Sequence, residues 1–382
     1  MKPLRTGIIG LGNMGSFYAD RLAAGDVPGA TLAAVADPRA DRLTRWPDAR
    51  AFGDGHAMIA ASGLDAVVIA TPHYAHTDLG IAALEAGLHV LVDKPISVHK
   101  RDAERLIAAH RRSDRMFAAM FNQRTDGYFL KIRSLIHESA LGAIRRIHWT
   151  STHWFRTHAY YQSSAWRATW AGEGGGVLLN QAPHQLDMLC WLFGLPAAVT
   201  GFCAFGRYHD IEVEDDVTAY LEWPGGTHGV FITGTGEAPG TNRLEIAAEN
   251  GRLVLEQDRL VFHRNEMPMS DFSRTTPELF AAPKVEVEAF EGLDHGTQHL
   301  GILRNFAAAI RGEEALIAPA QEGIASVELA NAILLSAWEG RRVELPLDAA
   351  VFAHHLDARI AASTARKTVR PADAGDMTGS FR

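Results

Sequence analysis

Cysteine is almost missing from this chain: Cys190 and Cys203 are the two in 382 residues. Both sit in apolar surroundings, which gives no disulfide framework and no zinc spacing, and suits a reducing compartment. No stretch approaches the roughly 18 apolar residues of a membrane span. No apolar signal region separates Met1–Arg5 from the first expected strand. A basic field is lacking too: 37 Lys and Arg stand against 45 Asp and Glu, for a formal charge of −8, and the cations are scattered. These absences argue against nucleic acid or a membrane surface as partner and leave small molecules in the cytoplasm. There is no Ser-His-Asp elbow, Walker loop or internal repeat. His73 and His76 have no cysteine or acid at ligand spacing, so no metal is expected.

What is present begins with an apolar strand, Thr6–Gly10, running into Gly10-Leu11-Gly12-Asn13-Met14-Gly15. A strand followed by glycines at this spacing and then a helix is the dinucleotide-binding arrangement. Gly10 permits a tight turn, Gly12 lets backbone approach a pyrophosphate, and Gly15 lets helix pack on strand. Asp37 ends the next strand, roughly 20 residues on, where a ribose 2′-hydroxyl partner belongs. Its charge would repel a 2′-phosphate, favouring NAD over NADP; Arg39 beside it works the other way. Further strands are expected at Thr31–Ala36, Asp65–Ala70, His89–Val92 and Met116–Ala119, with helices near Gly15–Ala24, Ala75–Ala86 and Lys100–Arg112. Such alternation makes an α/β domain with a doubly wound parallel sheet over residues 1–122. Leu88–Val92 then delivers Asp93 and Lys94 into a turn bounded by Pro95, a candidate cis bond, which places an amine at the reacting end of a nicotinamide site.

Beyond Asn122 the pattern changes to a helix near Asp126–Ser139 and β-rich stretches at Arg145–His153, Val217–Trp223, Thr227–Thr233 and Leu244–Ala248. Residues 123–355 read as a second, sheet-rich domain, and 356–382 as an extension expected to fray from Pro371. Within the second domain, Gly174-Gly175-Gly176 leads into a helix that carries His184 and stops at Gly194. Helices are also expected at His299–Ile310 and Ile324–Trp338.

Four elements in this order resemble the Gfo/Idh/MocA oxidoreductase family: the three glycines, Ala70-Thr71-Pro72-His73-Tyr74-Ala75-His76, Gly87 through Asp93-Lys94-Pro95, and the glycine loop into Asn180–Asp187. The resemblance runs from Thr6 to about Leu347. It implies a Rossmann domain followed by an α+β domain with a large open, mainly antiparallel sheet that commonly forms homodimers or homotetramers. It also implies pyridine-nucleotide chemistry on sugars, polyols or their derivatives. Carried over by position, Lys94 matches the catalytic lysine that polarises the reacting hydroxyl, and His184 the histidine that takes its proton. A first-turn helical position keeps that histidine neutral. Where many members have an aspartate, four residues before the histidine and on the same helix face, this chain has Asn180. An amide takes no proton, so Asn180 is left to orient a substrate hydroxyl, and Asp187 becomes either a replacement carboxylate or a helix salt-bridge partner.

The cofactor side is completed by Thr71, Pro72, His76, Asp93 and Asn122. Trp154, Arg156, Tyr160, Tyr161, Trp166 and Arg167 form a cluster suited to a carbohydrate, aromatics for the ring faces and guanidiniums for the rim, although each aromatic alone serves a core equally well. Asn122 and Arg124 stand either at the substrate or at a domain hinge. The expected activity is NAD-dependent oxidation of a secondary hydroxyl. Two alternatives share the motifs: redox-neutral glycoside cleavage by oxidation, elimination and re-reduction, and a non-catalytic NAD-binding regulator.

Overall fold

Apolar runs too short for helices become the strands of a parallel sheet: β1 (Leu4–Ile9), β2 (Ala30–Ala36), β3 (Arg50–Phe52), β4 (Ala66–Ile69), β5 (His89–Val92) and β6 (Phe117–Ala119). The computed structural model describes residues 2–61 and 63–370, so the expected fraying from Pro371 lies outside the described residues. Strand order is β3-β2-β1-β4-β5-β6, every pairing parallel. Helices Asn13–Ala23, Tyr74–Glu85 and Lys100–Arg111 make the crossovers. They bury the sheet, so that Ile8, Val67 and Leu91 are solvent-free. Strand order reverses between β1 and β4, which opens a crevice beyond their carboxyl ends. The five expected strands form. The short β3 and the helices Ala40–Leu43 and Gly55–Ala60 were not foreseen, being too brief to show a period.

The second sheet has nine strands: β7 (Ile144–Ser151), β8 (Ala198–Phe205), β9 (Glu214–Glu222), β10 (His228–Gly234), β11 (Asn242–Ala248), β12 (Gly251–Glu256), β13 (Arg259–Asn265), β14 (Val285–Phe290) and β15 (Val343–Glu344). Its order is β14-β13-β12-β11-β7-β10-β9-β8-β15, antiparallel except where β7 meets β10. Period-two alternation on β9 buries Val217, Ala219 and Leu221 and leaves Tyr220 exposed. The buried face carries helices Pro183–Phe193 and Ile324–Glu339, while Phe202 and Tyr220 mark the open face.

Core membership does not follow chain order. Helix Gln298–Ile310 returns to the first domain, where Ile302, Leu303 and Phe306 join its core, and Ala119 N–H donates to the Ala318 carbonyl at 2.9 Å. Helix Ala349–Ala362 runs through residue 355 because Phe352 and Leu356 share one buried stripe against the second core. Among the described residues, the last helix therefore ends at Ala362. No helix among the described residues is long and apolar enough to cross a membrane.

Candidate active site

Four turns converge beyond the carboxyl ends of β1, β4, β5 and β6. The first is the glycine loop. A Cβ on Gly15 would stand 1.7 Å from the Gly10 carbonyl oxygen, so only glycine lets this helix start so close to β1. A Cβ on Gly12 would meet nothing within 4 Å, which leaves backbone bare toward the crevice. Asp37 is buried and fixes the loop: one carboxylate oxygen accepts from Leu11 N–H at 2.8 Å, the other from Arg39 N–H at 2.9 Å. Arg42 pairs with Asp37 at 3.2 Å, whereas the exposed Arg39 guanidinium turns away to Asp41.

His76 binds the turns after β4 and β5 together, its ring nitrogens each 2.8 Å from the carbonyls of Thr71 and Pro95. Burial pushes its pKa down, and a neutral ring has one N–H, so one of those contacts at a time is a hydrogen bond. The Lys94-Pro95 bond is cis. Lys94 Nζ donates to the Asn180 carbonyl at 2.5 Å. Removal from water lowers the Lys94 pKa, opposed by Asp93 and Glu173 and reinforced by Arg167 and Arg156.

Asn180 lies in a turn, and the helix begins only at Pro183. The expectation that residues 180 and 184 share a helix face is thus corrected: proline, lacking an N–H, opens the first turn, and the Asn180 carbonyl stays outside the helical ladder, where Lys94 takes it. The Asn180 amide donates to a residue the sequence reading missed, Glu173. Glu173 is 2% exposed and accepts from Ala168 N–H at 2.5 Å through its other oxygen. Burial raises its pKa, against the pull of Arg167 and of its donors. Its own carbonyl lies 3.1 Å from His73 Nδ1. The one available clue was position, an acid directly before three glycines.

His184 is buried in the first helical turn with Nδ1 unpartnered. Desolvation, then Lys94 and His299, hold its pKa well below 6.5. His299, also missed, is pushed down to about 4 by burial. Asp93 accepts from its own neighbour's backbone, Lys94 N–H, at 2.8 Å and from the Tyr18 hydroxyl at 3.3 Å.

Arg124 does not reach this group. It is 2% exposed and grips Asp187 bidentately at 2.7 and 2.9 Å, with Glu322 on its remaining nitrogen. A buried fork held this way is turned onto its carboxylates rather than toward substrate, and Asp187 is committed to it. Asn122 donates to Gln298 at 2.5 Å, and its side-chain Oδ1 is unpartnered. Of the aromatic cluster, Tyr161 belongs to the core and donates to Thr235 at 2.8 Å. Trp154 is buried against His153, Trp166 stands against His73, and Tyr160 lies between Arg156 and Arg167.

The loop that brings Asn180 here is seated on Glu214. A Cβ on Gly176 would come within 1.9 Å of the Glu214 carbonyl oxygen. The Glu214 carboxylate accepts from Gly176 N–H at 2.8 Å and Leu178 N–H at 3.0 Å. Burial outweighs those donors and pushes its carboxyl from 4.5 up to about 7. The unfolded chain releases this proton at the lower pH and the folded protein at the higher. The native state then holds more protons between the two, and stability is expected to fall as pH rises from 4.5 to about 7. Glu214→Gln should remove that fall, about 3 kcal/mol over the whole window, read from denaturant melts at its two ends.

Residues 4–121 match the oxidoreductase family with the NAD-binding Rossmann fold, and residues 129–254 match the GFO/IDH/MocA C-terminal domain. The chain belongs to the Gfo/Idh/MocA oxidoreductase family. It is 33% identical to the uncharacterized oxidoreductase YdgJ of Escherichia coli, over 67% of this chain and 69% of that protein. It is 27% identical to the inositol 2-dehydrogenase of Rhizobium meliloti, over 90% of this chain and 99% of that protein. The solved WlbA dehydrogenase from Bordetella pertussis, in complex with NADH and UDP-GlcNAcA, superposes with a TM-score of 0.77 at 25% identity, over 91% of this chain and 100% of that one.

The Gfo/Idh/MocA cofactor fits what the first domain offers. Bare backbone at Gly12, the helix N-terminus at Asn13 and the buried Asp37 carboxylate line one side of the crevice. Buried atoms with no partner, Thr71 Oγ1 and Asn122 Oδ1, belong to the turns after β4 and β6.

Proposed function

We propose that this protein is an NAD-dependent dehydrogenase acting on a secondary hydroxyl of a polyol or sugar, with Lys94 and His184 on the reacting hydroxyl. The observation that carries this reading is the pairing of a desolvated Lys94 amine, anchored on the Asn180 carbonyl, with a buried neutral His184 whose Nδ1 has no partner. One Lys94 N–H is committed to Asn180, and an ammonium has two more to give a substrate oxygen. Donation from Lys94 favours the alkoxide form of that hydroxyl. His184 takes the hydroxyl proton, and the helix N-terminus opposes imidazolium, keeping the base ready. Bound nicotinamide supplies the hydride acceptor. Glu173 touches no reacting atom in this reading; it holds the Asn180 amide and so sets the direction of the Lys94 amine.

Asp37 supports NAD over NADP. Its carboxylate, held beside the glycine loop, would repel a 2′-phosphate, and the Arg39 guanidinium is engaged by Asp41. The inositol dehydrogenase relative supports a polyol as substrate. The test is reduction of NAD and NADP, followed at the nicotinamide absorbance, over a panel of inositols, free sugars, uronates, sugar phosphates and glycosides. The expected result is turnover of at least one panel member, with kcat/KM about tenfold or more in favour of NAD. Nucleotide binding without turnover on any panel member would sink the reading.

A further inference from the structure

Resting on that dehydrogenase reading, we infer that the substrate carries an anionic group, a carboxylate or a phosphate, received by Arg156 and Arg167 beside Tyr160. The two guanidinium carbons lie 5.1 and 4.4 Å from the centre of the Tyr160 ring. One aromatic ring thus holds two like charges close together. Arg167 Nη1 donates to the Tyr160 oxygen at 2.6 Å, and Gln181 Nε2 donates to the same oxygen at 3.1 Å. With its oxygen accepting twice, Tyr160 keeps its own hydrogen to donate onward.

Neither guanidinium has a carboxylate ion-pair partner among the described residues, and the Nε of each is buried with no hydrogen-bond partner. Supply of acid is not the reason, since acids outnumber bases in this chain 45 to 37. Some exposed arginines elsewhere are paired, Arg145 with Glu249, Arg207 with Asp216 and Arg342 with Glu222, and others such as Arg101 and Arg259 stand in open solvent; Arg156 and Arg167 differ from both in that the Nε of each is buried. The pocket's own carboxylate, Glu173, has one oxygen on Asn180 and the other on Ala168 N–H. A third cation adds to the imbalance: Lys367 donates to the Arg167 carbonyl. Both arginines also act on Lys94, lowering its pKa, which places them within electrostatic reach of the reacting centre. Two forked donors and a phenol, desolvated in part and with no carboxylate in direct ion pair, form the recognition chemistry of a planar or tetrahedral oxyanion. An anion there relieves the repulsion between the arginines, and a neutral polyol does not.

The experiment titrates the protein–NADH complex, by nicotinamide fluorescence, with D-glucose, D-glucuronate and D-glucose 6-phosphate. At least one anionic probe is expected to bind about tenfold or more tighter than D-glucose, and the advantage is expected to shrink as salt is raised. Glucuronate ahead of the phosphate assigns a carboxylate, and the reverse assigns a phosphate. In Arg156→Gln/Arg167→Gln the anion-to-glucose ratio should collapse, while Arg156→Lys/Arg167→Lys should keep part of it; NADH affinity shows that each variant is folded. D-Glucose binding as tightly as both anions, or a ratio that survives the glutamine pair, overturns the inference. Because the readout is binding, it fails separately from the dehydrogenase reading: turnover of neutral polyols with no anion preference removes this inference alone.

Discussion

Lys94→Ala is expected to bind NADH as the parent does and to lose turnover on the order of 10³-fold. The cofactor's expected holds, the glycine loop and Asp37, lie on β1 and β2 and are untouched by truncation at the end of β5. The reacting hydroxyl, by contrast, loses the donor that stabilises its anion in a site poor in water, where such a charge is worth most. The loss should fall on kcat and kcat/KM together, because the interaction strengthens as the alkoxide forms. Fluorescence titration with NADH and steady-state kinetics on the best panel substrate separate the two effects. Undiminished turnover would remove Lys94 from the chemistry. The parent's profile carries a related expectation. With the His184 pKa held well below 6.5, the acidic limb of the oxidation rate should lie below that pH as well.

Glu173→Gln is expected to lower kcat/KM on the order of 10²-fold without unseating NADH. In the parent, both Glu173 oxygens accept, one from the Asn180 amide and one from Ala168 N–H. A glutamine has one acceptor and one donor end, so its amino group meets another N–H whichever way it turns. Asn180 then gives way, and the carbonyl holding Lys94 moves with it. Asn180→Asp alone sets a second carboxylate against Glu173 and should push one of the two pKa values further up. Combining Glu173→Gln with Asn180→Asp exchanges donor and acceptor across the same contact. That pair should recover much of the lost rate, which a merely structural loss would not. An unchanged pH–rate profile in Asn180→Asp, together with no recovery in the pair, would remove Glu173 from the positioning of Lys94.

The sequence made some parts of this site legible because they are local. Gly10, Gly12 and Gly15 declare a strand-to-helix turn by spacing alone, and Lys94 sits at the end of an apolar run beside a proline. His184 follows Pro183, and inside an apolar periodic run a proline is tolerated only in the first helical turn. Glu173 was not legible because its importance is its burial, and burial is made by Asn180, Ala168 and His73 coming from separate turns. Arg124 was left open between substrate and hinge for the same reason. It stands beside the domain junction as a substrate ligand would, but Asp187 and Glu322 claim it from positions 63 and 198 residues away. Helix Ala349–Ala362 escaped notice because its stripe of Phe352 and Leu356 is thin and followed by a polar tail.

The return of helix Gln298–Ile310 to the first domain sets a schedule for the growing chain. When residues up to Ala119 have left the ribosome, all six strands of the parallel sheet exist, yet the cover for one flank is still unsynthesised. Ile302, Leu303 and Phe306 arrive only after some 180 further residues have emerged, and the Ala318 carbonyl that engages Ala119 comes later still. The nucleotide half is thus the first made and among the last completed, and premature termination within the second sheet leaves it with an uncovered apolar side.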